Sequence, residues 1–184
     1  MPQFVALLRG INVGKAKRIP MADLRGLLAE LGYTDIATLL NSGNAVFRAA
    51  TGTPAQHAQD IAAAILRALK MEVPVVVKSA KELEAIVGEN PLAENAAHHS
   101  RLLVVFAQST ATLSELAAVE ALVVPPEEFV VGKSAAYLHC ASGLLESPAG
   151  EALHGKAGKA ITTRNWATVL KLQALAVKDQ ETLS

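Results

Sequence analysis

The sequence lacks the features of a secreted or membrane-spanning protein, and its overall charge does not favour nucleic acid as a partner. It contains a single cysteine, Cys140, so an internal disulfide cannot form and nothing indicates an oxidising compartment. No apolar run approaches the ~20 residues of a membrane-spanning helix, and the first residues lack the pattern of a signal peptide. Lysine and arginine number 17, as do aspartate and glutamate, so no net charge favours nucleic acid or a membrane surface. These absences predict a cytoplasmic protein.

Common catalytic and metal-binding patterns are also missing. There is no Gly-x-Ser-x-Gly elbow, no paired-carboxylate motif and no cysteine cluster. His98 and His99 are adjacent and cannot copy the i,i+4 spacing of a helical zinc pair. His139 and Cys140 are neighbours on a predicted strand and face opposite sides of it, and His57 is expected on a solvated helix face. The sequence therefore predicts no metal site, specifies no cofactor and leaves open whether the protein is an enzyme.

The amino-acid composition is that of a globular protein. Of its 184 residues, 51% are hydrophobic and 18% are charged. This length suggests one domain or two small domains. A chain of this size buries roughly 70% of the surface that its unfolded form exposes, so it can fold without disulfides or metals.

The first half predicts alternating strands and helices. Apolar residues at helical spacing lie between Pro20 and Gly32, which are typical flanks of a helix. Segment 53–56 is a capping box that opens a second helix, and segment 41–44 has the residues of a tight hairpin. The predicted elements are strand 3–9, helix 21–31, strands 36–40 and 44–47, a helix from 54 to about 70 and strand 73–77. This order is ferredoxin-like.

The second half repeats that order after a polar stretch. Segment 79–82 is a second capping box whose helix ends near Gly88, and segment 89–100 is expected to be a linker or surface loop. The remaining predicted elements are strand 102–106, helix 112–122, a hairpin of strands 128–131 and 135–140, and a last helix from near Thr163. We therefore predict an α+β protein of two packed ferredoxin-like units, 1–88 with a trailing helix and 101–184 with an appended C-terminal helix.

Four cations lie within residues 9–18, at the end of the first strand and just after it, with two glycines between them. Glycine-rich backbone before a helix can direct several N–H groups at one anion, and the helix dipole adds positive potential. Segment 10–14 matches neither the dinucleotide fingerprint nor the Walker pattern. The segment predicts a phosphate or carboxylate site, and a solvated basic loop is the alternative. The residues assigned to this site are Arg9, Asn12, Lys15 and Asn41. For Asn41 the alternative is a purely structural role in the turn.

A second basic segment surrounds Thr162 and Thr163 near the predicted last helix. Arginine in a first helical turn opposes the helix dipole, so its presence suggests a ligand. The alternative is that Thr163 caps the helix while the arginine points to solvent or pairs with a carboxylate. The residues assigned here are Lys156, Lys159, Arg164 and Asn165, and His154 is retained as a possible member. We expect the two basic segments to converge on one concave site.

Several segments together carry a family resemblance. They are 7–14, 20–24, 41–44, 163–166 and 170–172. In this order and spacing they resemble domain-of-unknown-function family 1697, a group of uncharacterised bacterial proteins. The resemblance covers nearly the whole chain and implies a compact α+β protein of two ferredoxin-like parts. It implies no activity or site residues, and Lys15 stands where a second glycine commonly follows Gly14.

Three functions are compatible with these patterns. The first is recognition of a small anionic or phosphorylated ligand. The second is RNA binding, since the element order is also that of the RNA-recognition motif. Against it, aromatics make up only 4% of the chain and segment 44–48 lacks the basic-Gly-aromatic signature. The third is a regulatory or interaction scaffold that pairs through exposed sheet edges. The sequence favours the first and does not predict the oligomeric state.

Overall fold

The computed structural model describes residues 1–95, 99–141, 143, 146–155 and 160–181. The chain forms two compact units, which we call unit 1 and unit 2. Unit 1 contains Met1–Leu83 and the chain from Leu172 onward, and unit 2 contains Glu84–Lys171. Each has a four-stranded antiparallel sheet and helices, so the predicted α+β class is confirmed.

Unit 1 is built on a sheet with the strand order β2-β3-β1-β4. All three neighbouring pairs are antiparallel, and this arrangement is compatible with the predicted ferredoxin-like order. The elements from the N-terminus are β1 (Gln3–Leu8), α1 (Met21–Glu30), β2 (Thr34–Leu39), β3 (Asn44–Arg48), α2 (Pro54–Leu69), β4 (Val75–Ser79) and α3 (Ala80–Gly88).

The two long helices of unit 1 start differently. α2 begins with the predicted capping box, in which the Thr53 hydroxyl accepts from Gln56 N and Gln56 Oε1 accepts from Thr53 N. This pair satisfies two N–H groups that a helix start leaves without partners. α1 follows Pro20 directly and has no side-chain cap. The first turn of α1 therefore keeps N–H groups that no N-cap side chain satisfies.

The central strands of unit 1 are buried along their whole length. Every residue of β1 and of β3 is buried, so both faces of these strands are covered. One face carries Phe4, Ala6 and Leu8 into a core shared with Phe47 and the apolar faces of α1 and α2. Strands buried on both faces form near-continuous apolar runs, as the N-terminal segment does.

Unit 2 has the strand order β6-β7-β5-β8, again with antiparallel neighbours. Its core contains Leu103 and Val105 of the central strand together with Leu138 and Ile161. Its elements are β5 (Leu102–Ala107), α4 (Thr110–Glu115) continued by a 3-10 helix (Leu116–Leu122), β6 (Glu128–Val131), β7 (Ala136–His139), α5 (Pro148–His154), β8 (Ile161–Asn165) and α6 (Trp166–Glu181), which belongs to unit 1 from Leu172 onward.

The predicted start of the last helix near Thr163 is wrong. Residues Ile161–Asn165 form β8, which pairs with β5 so that Thr163 lies opposite Val105. The β-branched residues at 161–163 suit a strand, and the long-range pairing decides their conformation. The helix begins at Trp166, and Asn165 is its cap because Asn165 Oδ1 accepts from Thr168 N at 2.9 Å.

Within the described residues, every helix is either too short or too polar to cross a membrane.

Candidate functional site

The cations near the N-terminus lie on one ordered loop. This basic loop, residues 9–20, joins β1 to α1 in unit 1. Arg9 N donates to Pro74 O at 2.9 Å and Lys17 Nζ donates to Glu72 O at 2.8 Å, so the loop is attached to the segment before β4. The loop closes on itself where Asn12 N donates to Lys17 O at 3.0 Å. These bonds hold the intervening turn in a defined position.

Asn12 organises the loop through its side-chain amide. Its Oδ1 accepts from Ile19 N at 2.8 Å, while its Nδ2 donates to Ile19 O at 2.9 Å and to Asn41 O at 2.7 Å. Its φ of 55° is a left-handed conformation that asparagine tolerates better than most residues. The amide is thus used within the protein, and Asn12 holds the loop against the β2–β3 hairpin.

The hairpin beside the loop is tightly packed. Gly43 has a φ of 92°, and a Cβ at this position would lie 2.8 Å from both Leu8 Cβ and Ile11 Cδ1. Asn44 Nδ2 donates to Leu39 O at 2.8 Å and so closes the turn from within. Asn44 therefore stabilises the turn, which is the structural role predicted for the polar residues of this hairpin. The Asn41 side chain is exposed next to the basic loop.

Positive charge is concentrated and accessible at this loop. Lys15, Lys17 and Arg18 are exposed, and none of them lies within ion-pair distance of a carboxylate in the described part of the chain. Arg9 is half-buried, and this burial lowers the pKa of its guanidinium, which still carries its charge at neutral pH. The loop therefore presents cations toward solvent beside the uncapped first turn of α1.

The second basic segment does not have the predicted conformation, because its arginine lies on a strand. Arg164 lies on β8 and is only 8% exposed, so the expectation of an arginine in a first helical turn is wrong. It donates to Thr162 Oγ1 and to Thr163 O, each at 2.8 Å. Burial lowers the pKa of Arg164 to about 10. Asn165, assigned to the same site, caps α6 with its side-chain oxygen.

Other members of the second segment are only partly placed. Lys156 and Lys159 lie outside the described residues. His154 ends α5, where its Nδ1 bonds to Gly150 O at 2.8 Å and its Nε2 lies 3.4 Å from Thr163 Oγ1. Arg164 belongs to unit 2 and the basic loop to unit 1, so the convergence of the two segments stays a prediction.

His57 is the polar residue that the sequence reading misplaced. It was expected on a solvated helix face, but it is 4% exposed and packs against the rings of Phe4, Tyr33 and Phe47. The signal was present in the sequence, because His57 lies four residues before Ile61, on the apolar face of α2. The side chain therefore belongs to the core of unit 1.

Cys140 is buried, as expected for a small core residue, and burial raises the pKa of its thiol to about 11. A thiol protonated at neutral pH is a poor nucleophile. Among the described residues, no three histidine, cysteine or acidic side chains are grouped as a metal site would require.

Comparisons with known proteins give a family and a fold. The model of the family DUF1697, described as "Protein of unknown function", matches residues 1–137. The solved structure of conserved bacterial protein SP0830 from Streptococcus pneumoniae is similar, with a TM-score of 0.78 and 24% sequence identity. The match covers 95% of this chain and 98% of that chain. None of the curated proteins matches this sequence.

Proposed function

Because the chain belongs to DUF1697, a family of unknown function, we propose its role from its own geometry. The protein recognises a small anionic or phosphorylated ligand at the basic loop, beside the first turn of α1. The observation that carries this proposal is the set of three exposed cations, Lys15, Lys17 and Arg18, without carboxylate partners among the described residues. The buried single cysteine fits a reducing compartment such as the cytoplasm.

The rigidity of the loop supports this role. Flexible surface cations lose side-chain and backbone freedom on binding, which offsets much of the attraction to a ligand. Here the backbone is already fixed by Asn12 and by the bonds to Glu72 and Pro74. A phosphate would meet a preformed concentration of positive charge, and each charge-assisted hydrogen bond contributes about 1.5–3 kcal/mol.

The residues have different roles in this proposal. Lys15 and Arg18 contact the anion, and Arg9 adds positive potential from the end of β1. The exposed amide of Asn41 donates from the neighbouring hairpin. Asn12 is a positioning residue, because its own amide is bonded to Ile19 and Asn41.

A melting-temperature screen tests the proposal with defined probes. Pyrophosphate, glucose 6-phosphate and nucleoside triphosphates are added to the full chain, with glucose as the uncharged control. Lys15→Ala combined with Arg18→Ala should weaken binding of the stabilising anion about a hundredfold, since two charge-assisted bonds are lost. Lys133→Ala, which removes an exposed cation from unit 2, is the matched control.

The unliganded melting temperature separates binding from folding. Both substituted side chains are exposed and make no ion pair in the described residues, so the double variant should melt like the parent without ligand. The proposal fails if the parent and the double variant respond equally to every anion.

The packing of the central strands argues against the RNA alternative. RNA-recognition motifs stack bases on aromatic side chains exposed on the sheet. Phe47 of β3 and Phe4 of β1 are buried, and the other residues of these strands are buried as well. The sheet of unit 1 therefore offers no aromatic platform on these strands.

The edge strand β2 also argues against strand pairing with a partner. Its register shifts between Thr34 and Ala37, and Asp35 has a φ of 49°. The Asp35 carboxylate pairs with Arg48 at 3.4 Å. An irregular edge carrying a charge is a common protection against edge-to-edge association.

A further inference from the structure

Two side chains of unit 2 that the proposed function leaves unused are in contact with each other. His154 is the last residue of α5, and its Nε2 is 3.4 Å from the hydroxyl oxygen of Thr163 on β8. The sequence suggests His154 only as a possible member of an anion site. An imidazole beside a hydroxyl is also the arrangement in which a histidine activates a nucleophile.

The backbone of α5 fixes the imidazole of His154 in the form of a general base. Its Nδ1 is 2.8 Å from the backbone oxygen of Gly150, one turn earlier in the helix. A carbonyl oxygen can only accept, so Nδ1 carries the ring proton and the lone pair of Nε2 faces the Thr163 hydroxyl. Nucleophile, base and a third group that orients the base are therefore all present, and such pairs commonly tighten from a separation of this length when substrate binds.

The contact between the two side chains is accessible from solvent. His154 is exposed and Thr163 is partly exposed, and the bond between them lies at the surface. The neighbouring Thr162 is different, because it is buried and its hydroxyl accepts from Arg164. Of the two threonines, Thr163 is therefore the one that an incoming substrate can reach.

A mainly apolar cavity is formed by residues adjacent to this pair. Its volume is about 160 Å³, and its walls come from α4, the following 3-10 helix, the end of α5 and the start of β8. Leu153 precedes His154, and Ile161 lies on the same face of β8 as Thr163, because side chains alternate along a strand. A cavity of roughly 150 Å³ accommodates a six-carbon ring. An acyl chain of up to about six carbons therefore fits this cavity.

We infer that His154 and Thr163 form the catalytic pair of an esterase for short apolar acyl groups, with the acyl chain in this cavity. The Thr163 oxygen attacks the ester carbonyl carbon while its proton passes to His154 Nε2. The tetrahedral adduct expels the alcohol, which takes that proton, and the acyl group remains on Thr163. Water then attacks the acyl group with His154 again as the base, so the carboxylic acid leaves and the hydroxyl is restored. This pair belongs to unit 2, whereas the basic loop belongs to unit 1.

The p-nitrophenyl esters of hexanoate and acetate test the inference on the full chain. Hexanoate should give a burst of nitrophenolate followed by slower turnover, and mass spectrometry should find the hexanoyl group on the peptide that contains Thr163. Hexanoate buries four more methylene groups than acetate, so its kcat/KM should be at least about tenfold higher.

Matched variants assign the reaction to the two side chains. Thr163→Val keeps the shape of the side chain and should abolish the burst and the acylated peptide, whereas Thr163→Ser should retain both. His154→Gln should lower kcat/KM about a hundredfold or more, because general-base catalysis contributes at least this factor. His139→Gln removes another imidazole of unit 2 and should react like the parent.

Non-specific acylation of surface groups gives a different set of results. The inference is overturned if Thr163→Val releases nitrophenolate as fast as the parent, if the hexanoyl group is found only on lysines, or if acetate reacts as fast as hexanoate. His154 is exposed, so its replacement should leave the fold intact. If Thr163→Val does not fold, His154→Gln decides, and a rate equal to that of the parent overturns the inference as well.

Discussion

At the scale of single residues, Asn12 and Asn41 carry the same side chain but contribute differently to the structure. Asn12 uses its side-chain amide to join the basic loop to the hairpin, whereas Asn41 accepts that bond with its backbone oxygen. The side chain of Asn41 is consequently not needed for the contact. We therefore expect the side chain of Asn12, and not that of Asn41, to contribute to the stability of the loop.

We expect Asn12→Ala to lower the free energy of unfolding by about 1–3 kcal/mol, because three hydrogen bonds disappear and partly buried groups lose their partner. Asn41→Ala is the matched control and should change stability by less than about 0.5 kcal/mol. Urea denaturation of both variants measures the difference. Equal losses in the two variants would contradict the assigned role of Asn12.

His57 should make the stability of the protein depend on pH. Burial lowers the pKa of His57, and the Asp60 charge and the Thr51 backbone only partly oppose this effect. The unfolded chain, with an imidazole pKa of about 6.5, then binds more protons than the folded chain in mildly acidic solution. The stabilisation is complete above that pH and is lost as the pH falls below it.

Between pH 7.5 and 5.5, His57 should contribute a loss of up to about 1.4 kcal/mol in unfolding free energy. His57→Phe fills similar space and cannot be protonated, so its stability should fall less over the same interval. Urea denaturation of both proteins at the two pH values gives the difference. An identical fall in both would mean that the buried imidazole does not titrate in this range.

At the scale of secondary-structure elements, the sequence predicts the elements that are defined by residues within them. The capping box at Thr53 and the glycine-containing turn of the hairpin lie within the elements that they define. The cations of the basic loop can also be identified from the sequence. Their consequence for binding depends on Asn12, whose partners Ile19 and Asn41 could not be identified without coordinates.

The errors arose where distant segments decide the structure. β8 pairs with β5, so that Arg164 lies opposite Val104, a partner sixty residues earlier in the chain. This pairing turned a predicted helix start into a strand and buried its arginine. His57 is a different case, since its spacing from Ile61 indicates the apolar face of α2 even though the imidazole is polar.

At the scale of the whole molecule, a net charge of zero hides an uneven distribution. The 17 basic and 17 acidic residues cancel overall, so the protein as a whole does not attract anions over long distances. Lys15, Lys17 and Arg18 nevertheless lie within four residues of one another on an exposed loop. Electrostatic attraction to a ligand must therefore act locally, within about one Debye length, roughly 10 Å at 0.1 M salt.

This locality predicts how salt affects anion binding at the basic loop. Raising the salt concentration from 50 to 200 mM should weaken pyrophosphate binding to the parent several-fold, because the exposed cations are screened. Lys15→Ala combined with Arg18→Ala should flatten this dependence, whereas Lys133→Ala combined with Lys81→Ala should leave it unchanged. Both double variants lower the net charge by two, so calorimetric titrations across the salt series distinguish the position of the charge from its amount. If both pairs flatten the salt dependence equally, the attraction depends on overall charge, and the basic loop is not the binding site.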